Sequence, residues 1–285
     1  MHEAPYAAAA ADMSSPGTAP ATLPGTNAFE VTARANGRTY TIQVAIPCGD
    51  TPEQGFPVVY ALDGGAIFPY FAQSQRLLAA RSGVTGVVPA IIVGIGHPGE
   101  EAYPPARHYD FTLTADQAEL PANPAGKAWP EQGGAALFQQ FLEHELKPLI
   151  ESRYAIDRSR QALFGHSLGG LFALHALFTQ PSAFQTYIAG SPSIHWNERL
   201  LLEEERLFAE QALLSSVTAR LYIAAGELER SHHSGMNANA AAMAERLARL
   251  ASRGLEVRFD EIEDEGHLSV LLPLTGRALR FAGKP

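Results

Sequence analysis

The chain of 285 residues predicts an α/β fold: a mainly parallel central sheet, opened by an antiparallel hairpin and covered by helices on both faces. Three observations carry this. Short, continuous apolar runs such as residues 57–62 (PVVYAL) and 89–96 (PAIIVGIG) have the make-up of strands buried on both faces. Segments of helical spacing alternate with such runs from residue 57 onward, and they supply the crossovers that parallel pairing requires. Ahead of them, residues 29–47 alternate apolar and polar side chains around Asn36-Gly37, a dipeptide suited to a tight hairpin turn.

In chain order, residues 1–28 are rich in Ala, Pro, Ser, Thr and Gly and read as a mobile tail. Their five-alanine run is too short and too weakly apolar for a signal-peptide core, and no basic residue precedes it. The expected location is therefore cytoplasmic, or periplasmic if the numbering begins inside a processed form. Residues 29–285 show no compositional break and no repeat, which predicts one domain. After the hairpin and the strand at 57–62, a helix is expected at 66–81, ending near Gly83, and a second strand at 89–96. Residues 98–134 break the rhythm: six prolines and no sustained periodicity mark a lid-like insertion. The alternation then resumes with helix 135–154, strand 161–165, helix 168–179, strand 185–189, helix 197–213, strand 219–225, helix 236–252, strand 255–262 and helix 268–282. In such a sheet, ligands sit at the carboxyl ends of the strands.

Composition narrows the function. A formal charge of −9 opposes binding to DNA, RNA or anionic lipid, each of which needs a broadly basic surface. Cys48 is the single cysteine, so there is neither an internal disulfide framework nor a Cys-rich metal site. The ten histidines show no HExxH and no zinc-ligand spacing. No GxxxxGK[ST] loop is present, and Gly94-Ile95-Gly96 lacks the helix start that a dinucleotide site needs. No run approaches the ~18 apolar residues of a membrane span. We expect no metal, no cofactor, and a small molecule as the partner; the oligomeric state is left open.

The chemistry centres on Gly165-His166-Ser167-Leu168-Gly169, between an apolar strand and a helix. Small residues flanking a serine at a strand-to-helix turn make a nucleophile elbow, with the helix amino terminus facing the reacting centre. A serine hydroxyl needs an imidazole to take its proton, and the imidazole needs an acid to fix its tautomer. His267 lies after the last strand and before the last helix, where an order of serine, acid and histidine places the base. His232 and His233 fall too early, because no acid-bearing strand precedes them. For the acid, the strand ending at Ala225 leads into Gly226-Glu227-Leu228-Glu229; Glu229 is the first choice and Glu227 the alternative. Glu263, Asp264 and Glu265 are weaker candidates, being so close to His267 along the chain. The oxyanion needs two backbone donors. Leu168 supplies one, directly after the nucleophile. The other is assigned to Gly65, in Asp63-Gly64-Gly65 after the strand PVVYAL.

Four segments carry a family resemblance: Tyr60-Ala61-Leu62-Asp63-Gly64, Arg107-His108-Tyr109-Asp110-Phe111-Thr112, Gly165 to Gly170, and Ser191-Pro192-Ser193-Ile194-His195-Trp196. From about Phe29 to its end the chain resembles the esterase D-like branch of the α/β hydrolases. That branch includes S-formylglutathione hydrolases, mycolyltransferases and the trilactone siderophore esterases. The Arg-x-x-Asp-Phe-Thr and Ser-Pro-Ser-Ile-x-Trp segments look most like the last subgroup, which hydrolyses ester bonds of enterobactin-like and salmochelin-like scaffolds. The resemblance implies an α/β-hydrolase fold and a serine-dependent carboxylic ester hydrolase acting through an acyl-enzyme. It matches Ser167 to the nucleophile, His267 to the base, and Gly65 and Leu168 to the oxyanion donors. The acid position carries Glu where the wider family commonly carries Asp. General carboxylesterase, thioesterase or acyltransferase activity would use the same machinery. A catalytically inactive binding homologue would require the loss of a triad member, and serine, histidine and acid are all present. For a bulky aryl-amide ester, Arg107 and Trp196 offer a cation and an aromatic face; the alternatives are that Arg107 pairs with Asp110 and that Trp196 fills core space.

Overall fold

The opening hairpin forms where the alternation places it. In the computed structural model, which describes residues 22–116, 119–123 and 126–284, β1 (Thr26–Thr32) pairs antiparallel with β2 (Thr39–Ala45), Thr32 facing Thr39. The connection is longer than the expected tight turn and runs over residues 33–38. Of Asn36-Gly37, only Gly37 takes a positive φ, 71°. Asn36 contributes its side chain instead, accepting from the Arg38 N–H at 3.0 Å and donating to the Tyr40 hydroxyl at 2.7 Å. β1 begins at Thr26, so Thr26 to Ala28 belong to the sheet rather than to the expected tail. Residues 1–21 of that tail lie outside the described residues.

The strands β3 (Phe56–Leu62), β4 (Ile91–Gly96), β5 (Ile156–His166), β6 (Thr186–Gly190), β7 (Ala219–Gly226) and β8 (Leu255–Ile262) complete one sheet of eight, in the order β1-β2-β4-β3-β5-β6-β7-β8. β2 meets β4 antiparallel; every pairing from β4 to β8 is parallel. β3, β4 and β6 are buried at every position, as expected for strands covered on both faces. In β3 the alternation of side chains divides the core in two: Val58, Tyr60 and Leu62 join one apolar cluster, and Val59 and Ala61 the other.

Nine helices are described: α1 (Gly64–Ala79), α2 (Ser82–Thr85), α3 (Arg107–Phe111), α4 (Ala135–Phe141), α5 (Lys147–Arg153), α6 (Leu168–Thr179), α7 (Glu198–Leu214), α8 (Met236–Ala248) and α9 (Leu271–Ala282). The expected helix 135–154 is α4 and α5 joined through a wider π turn, Leu142–Leu146. Phe68 and Phe71 of α1 pack with Leu274 and Phe281 of α9 in one cluster, while α4, α6, α7 and α8 feed the other. α6 is buried along nearly its whole length, the behaviour of a helix apolar on all sides, so its amino terminus is rigidly held.

β3 and β5 are neighbours, yet α1 leaves β3 on one face of the sheet and α6 leaves β5 on the other. That divergence opens a crevice at the carboxyl end of the sheet. The described part of the insertion forms a wall beside it. Gly134 N–H donates to Tyr109 O at 2.7 Å, Leu113 N–H donates to Asn197 Oδ1 at 3.0 Å, and the Trp129 ring packs edge-on against Trp196 at 4.5 Å. Buried Asp110 fastens this wall to the hairpin and β4, accepting from the Tyr40 hydroxyl at 2.9 Å and bonding His97 Nε2 at 2.8 Å.

Candidate active site

Ser167 lies between the last residue of β5 and the first of α6, at φ 59° and ψ −117°. A non-glycine residue at positive φ costs roughly 1–3 kcal/mol and persists only where its surroundings enforce it. Here the enforcing contacts are tight. A Cβ on Gly165 would stand 2.0 Å from Gly169 O, so only glycine lets strand and helix meet this closely. The Ser167 N–H donates to Gly190 O of β6 at 2.9 Å, which leaves the side chain facing the crevice.

His267 sits in the loop between β8 and α9, with its Nε2 3.1 Å from Ser167 Oγ. Its Nδ1 is 2.6 Å from Oε2 of Glu229, a residue on the short 3-10 turn Glu227–Ser231 that follows β7. The other carboxylate oxygen, Oε1, accepts from the Ser191 hydroxyl at 2.6 Å and the Gly226 N–H at 2.8 Å. Burial opposes ionisation of Glu229, but the hydrogen bonds from His267, Ser191 and Gly226 prevail and hold its carboxyl below the usual range. An ionised carboxylate only accepts, so Nδ1 carries the ring proton and Nε2 is free to take one from Ser167.

Glu227, the alternative acid, is turned away: it accepts from the Asp264 N–H at 3.2 Å and pairs with Arg230. His232 and His233 line the crevice with their rings tilted against one another, 4.3 Å between centres. Beneath the base lies His166, 1% exposed, its ring 4.7 Å from that of His267. Burial first, and then the proximity of His267, lower its pKa to about 3, so it stays neutral.

Leu168 opens α6 and Gly65 is the second residue of α1. First-turn N–H groups have no acceptor within their own helix, which leaves both free to face an oxyanion. Leu168 lines the cleft; Gly65, in the first turn of α1, is not among its lining residues, and a Cβ there would stand 3.5 Å from Glu101 O. The starts of α1 and α6 meet, since the Asp63 carboxylate and the Leu62 side chain both come within 3.5 Å of a Cβ built on Gly169. Gly64 fixes the approach from the other side. Its Cβ would stand 2.8 Å from Ile95 N.

Arg107 has a buried partner, Asp63, in addition to its place in the cleft. This residue, on α3, does line the cleft, but it is 7% exposed and donates through Nε and Nη2 to both oxygens of Asp63, at 2.7 and 2.8 Å. Burial opposes its charge; Asp63 outweighs burial and raises its pKa above the ordinary value. The pair clamps Asp63, itself in the left-handed region at φ 55°, immediately before Gly64-Gly65. The pairing with Asp110 does not form, because Asp110 is engaged with Tyr40 and His97. Trp196 is 7% exposed and donates from Nε1 to Gln132 Oε1 at 2.9 Å, so it braces the wall while lining the cleft.

The cleft over Ser167 has a volume of ≈ 660 Å³, and its further lining includes His108, His195, Leu228, Met236 and Ser193. Burial lowers the pKa of His108 and of His195 to about 4, assisted by Arg107 for the first and by His232, His233 and His267 for the second. Both are therefore neutral imidazoles at physiological pH. Two residues went without a role in the sequence: Ser191 on the acid, and Ser193, whose Oγ is 3.2 Å from that of Ser167. The available signal was their position, two hydroxyls directly after a buried strand at the carboxyl edge of the sheet.

Comparison with known proteins places the chain among esterases. The family described as Putative esterase matches residues 33–268. The ferri-bacillibactin esterase BesA of Bacillus subtilis is 47% identical over 264 residues, covering 93% of this chain and 91% of the relative. The siderophore enterobactin esterase of Emericella nidulans is 38% identical over 214 residues, 71% and 69% of the two chains. Among solved structures, the BES protein of Bacillus cereus superposes with a TM-score of 0.87 at 39% identity, over 94% of this chain and 100% of the other. The siderophore hydrolase EstA of Aspergillus nidulans gives 0.79 at 31%, over 94% and 97%.

Proposed function

The chain belongs to the Putative esterase family and is an ester hydrolase of the α/β-hydrolase fold; from that premise we propose that Ser167, His267 and Glu229 open the lactone esters of siderophore-type scaffolds. One observation carries the reading: an unbroken chain of hydrogen bonds from Ser191 and Gly226, through Glu229 and His267, to Ser167 at the base of the cleft. His267 Nε2 takes the Ser167 proton as Oγ attacks the ester carbonyl. The first-turn N–H groups of Leu168 and Gly65 receive the oxyanion, and the imidazolium, stabilised by Glu229, protonates the departing alcohol. Water then repeats the sequence on the acyl-enzyme and releases the acid.

The substrate class rests on the relatives, named for ferri-bacillibactin and enterobactin, together with the size and lining of the cleft. A volume of ≈ 660 Å³ exceeds what a small acyl group needs. Its imidazoles, Leu228 and Met236 suit aryl arms that carry hydrogen-bonding oxygens. The test is a panel containing an aryl acetate, a thioester and a cyclic catecholate triester, run on the wild type and on Ser167→Ala. The triester should be the best substrate by kcat/KM, and the variant should lose about 10⁴-fold or more on every ester. A Ser167→Ala protein that keeps its turnover removes the mechanism; a preference for the thioester removes the substrate assignment.

A further inference from the structure

We propose that Ser193 is a second catalytic hydroxyl, one that assists departure of Ser167 from the acyl-enzyme. The inference rests on the esterase reading above and deepens it. Ser193 is 4% exposed and lines the cleft, and its Oγ stands 3.2 Å from the reacting oxygen. Its position is fixed by the backbone. Ser193 N–H donates to Ser167 O at 3.1 Å, Trp196 N–H donates to Ser193 O at 2.9 Å, and two residues upstream Ser191 N–H donates to Ala224 O at 2.6 Å. One loop thereby bonds both ends of the triad, Ser191 to the carboxylate and Ser193 to the nucleophile.

The direction of the hydrogen bond follows from proton counting. Ser167 has a single hydroxyl proton, and in the productive arrangement it points at His267 Nε2, 3.1 Å away. Ser193 must therefore donate to a lone pair of Ser167 Oγ. During acylation this helps little, since a donor on the attacking oxygen blunts a nucleophile as much as it steadies the charge. Deacylation is different. Water, having given a proton to His267, adds to the acyl carbon. The tetrahedral intermediate then collapses: the bond from carbon to Ser167 Oγ breaks, its electron pair goes to Oγ, the carbonyl reforms on the released acid, and the imidazolium proton moves from Nε2 to Oγ. Ser193 keeps its own proton throughout and lends only a hydrogen bond to the oxygen gaining charge.

The experiment compares Ser193→Ala and Ser193→Thr with the wild type in two measurements: the rate of fluorophosphonate labelling, which requires only attack by Ser167, and the pre-steady-state release of chromophore from an aryl acetate. For Ser193→Ala we expect labelling within about 2-fold of wild type, kcat lower by on the order of 10-fold, and a burst approaching one equivalent of chromophore per site as the acyl-enzyme accumulates. This loss is smaller than the roughly 10²–10³ of an oxyanion donor, because Oγ also receives the imidazolium proton. Ser193→Thr, which keeps the hydroxyl, should recover most of the turnover. Labelling and turnover that fall together, labelling that rises, no change in either, or a threonine variant as slow as alanine would each overturn the proposal. A wild-type protein that takes no label at all would instead remove the esterase reading beneath it.

Discussion

Replacing Glu229 by glutamine tests the site at its most constrained point. Glu229 is 5% exposed, and its two oxygens face three donors: Ser191 and Gly226 on Oε1, His267 Nδ1 on Oε2. A glutamine of the same shape must turn its carbonyl oxygen toward Ser191 and Gly226, because an NH₂ there would meet the Gly226 N–H. The NH₂ then faces His267 and calls for a lone pair on Nδ1. The ring proton moves to Nε2, which points at Ser167 as a donor and can no longer act as a base. An inverted tautomer of this kind costs about 10⁴ in kcat, equivalent to about 5.4 kcal/mol of transition-state stabilisation. All three contacts keep a hydrogen-bond partner and lose only the charge of the carboxylate, so folding stability should fall by no more than about 1–3 kcal/mol. Turnover of an aryl acetate and urea unfolding, both at neutral pH, measure the two effects separately. Glu227→Gln serves as the control and should stay within about 2-fold of wild type, since Glu227 contacts the Asp264 backbone and Arg230 rather than an imidazole. A Glu229→Gln enzyme keeping more than about one tenth of its kcat would refute the argument that this carboxylate sets the tautomer.

Two buried ionisable groups, Arg107 and His166, give further outcomes. Arg107→Met leaves the Asp63 carboxylate, 1% exposed at its side chain, without its partner; unfolding stability should drop by about 3–5 kcal/mol, and the double variant with Asp63→Asn should recover much of it. Because the guanidinium is committed to Asp63, the kcat/KM ratio between an anionic and a neutral ester should not move. A shift of about 10-fold or more toward the neutral ester would show that Arg107 meets substrate directly. His166 gives a pH dependence. Its folded pKa of about 3 lies below the unfolded value of about 6.5, so between these values the unfolded chain binds a proton that the native protein refuses. Stability then falls as pH drops through that window, by up to about 1.4 kcal/mol per pH unit from this group. His166→Gln should flatten the unfolding free energy between pH 6 and 4 by that slope, as read by urea titration; an unchanged slope would mean that the buried ring does not control acid sensitivity.

The periodicities and breakers along the chain were enough to specify the αβ alternation, the elbow at Ser167 and the loop carrying His267. These are local matters: side-chain alternation in a strand, the 3.6-residue repeat of a helix, and a turn that only small residues permit all act within a few residues. Boundaries drifted where the signal was weak, as at Thr26 and around Asn36, whose side chain holds the loop that its backbone was expected to turn. The tertiary structure alone decided partners. Glu227 and Glu229 are two residues apart and chemically alike; the 3-10 turn after β7 sends one toward Asp264 and Arg230 and the other under His267. Arg107 found Asp63, 44 residues upstream, rather than Asp110 on its own helix, and Ser191 and Ser193 acquired roles only when β6 was laid between β5 and β7. A buried charge or hydroxyl must be satisfied by whatever group the packed chain brings within about 3 Å, and that neighbour is set by the stacking of strands, not by distance along the sequence.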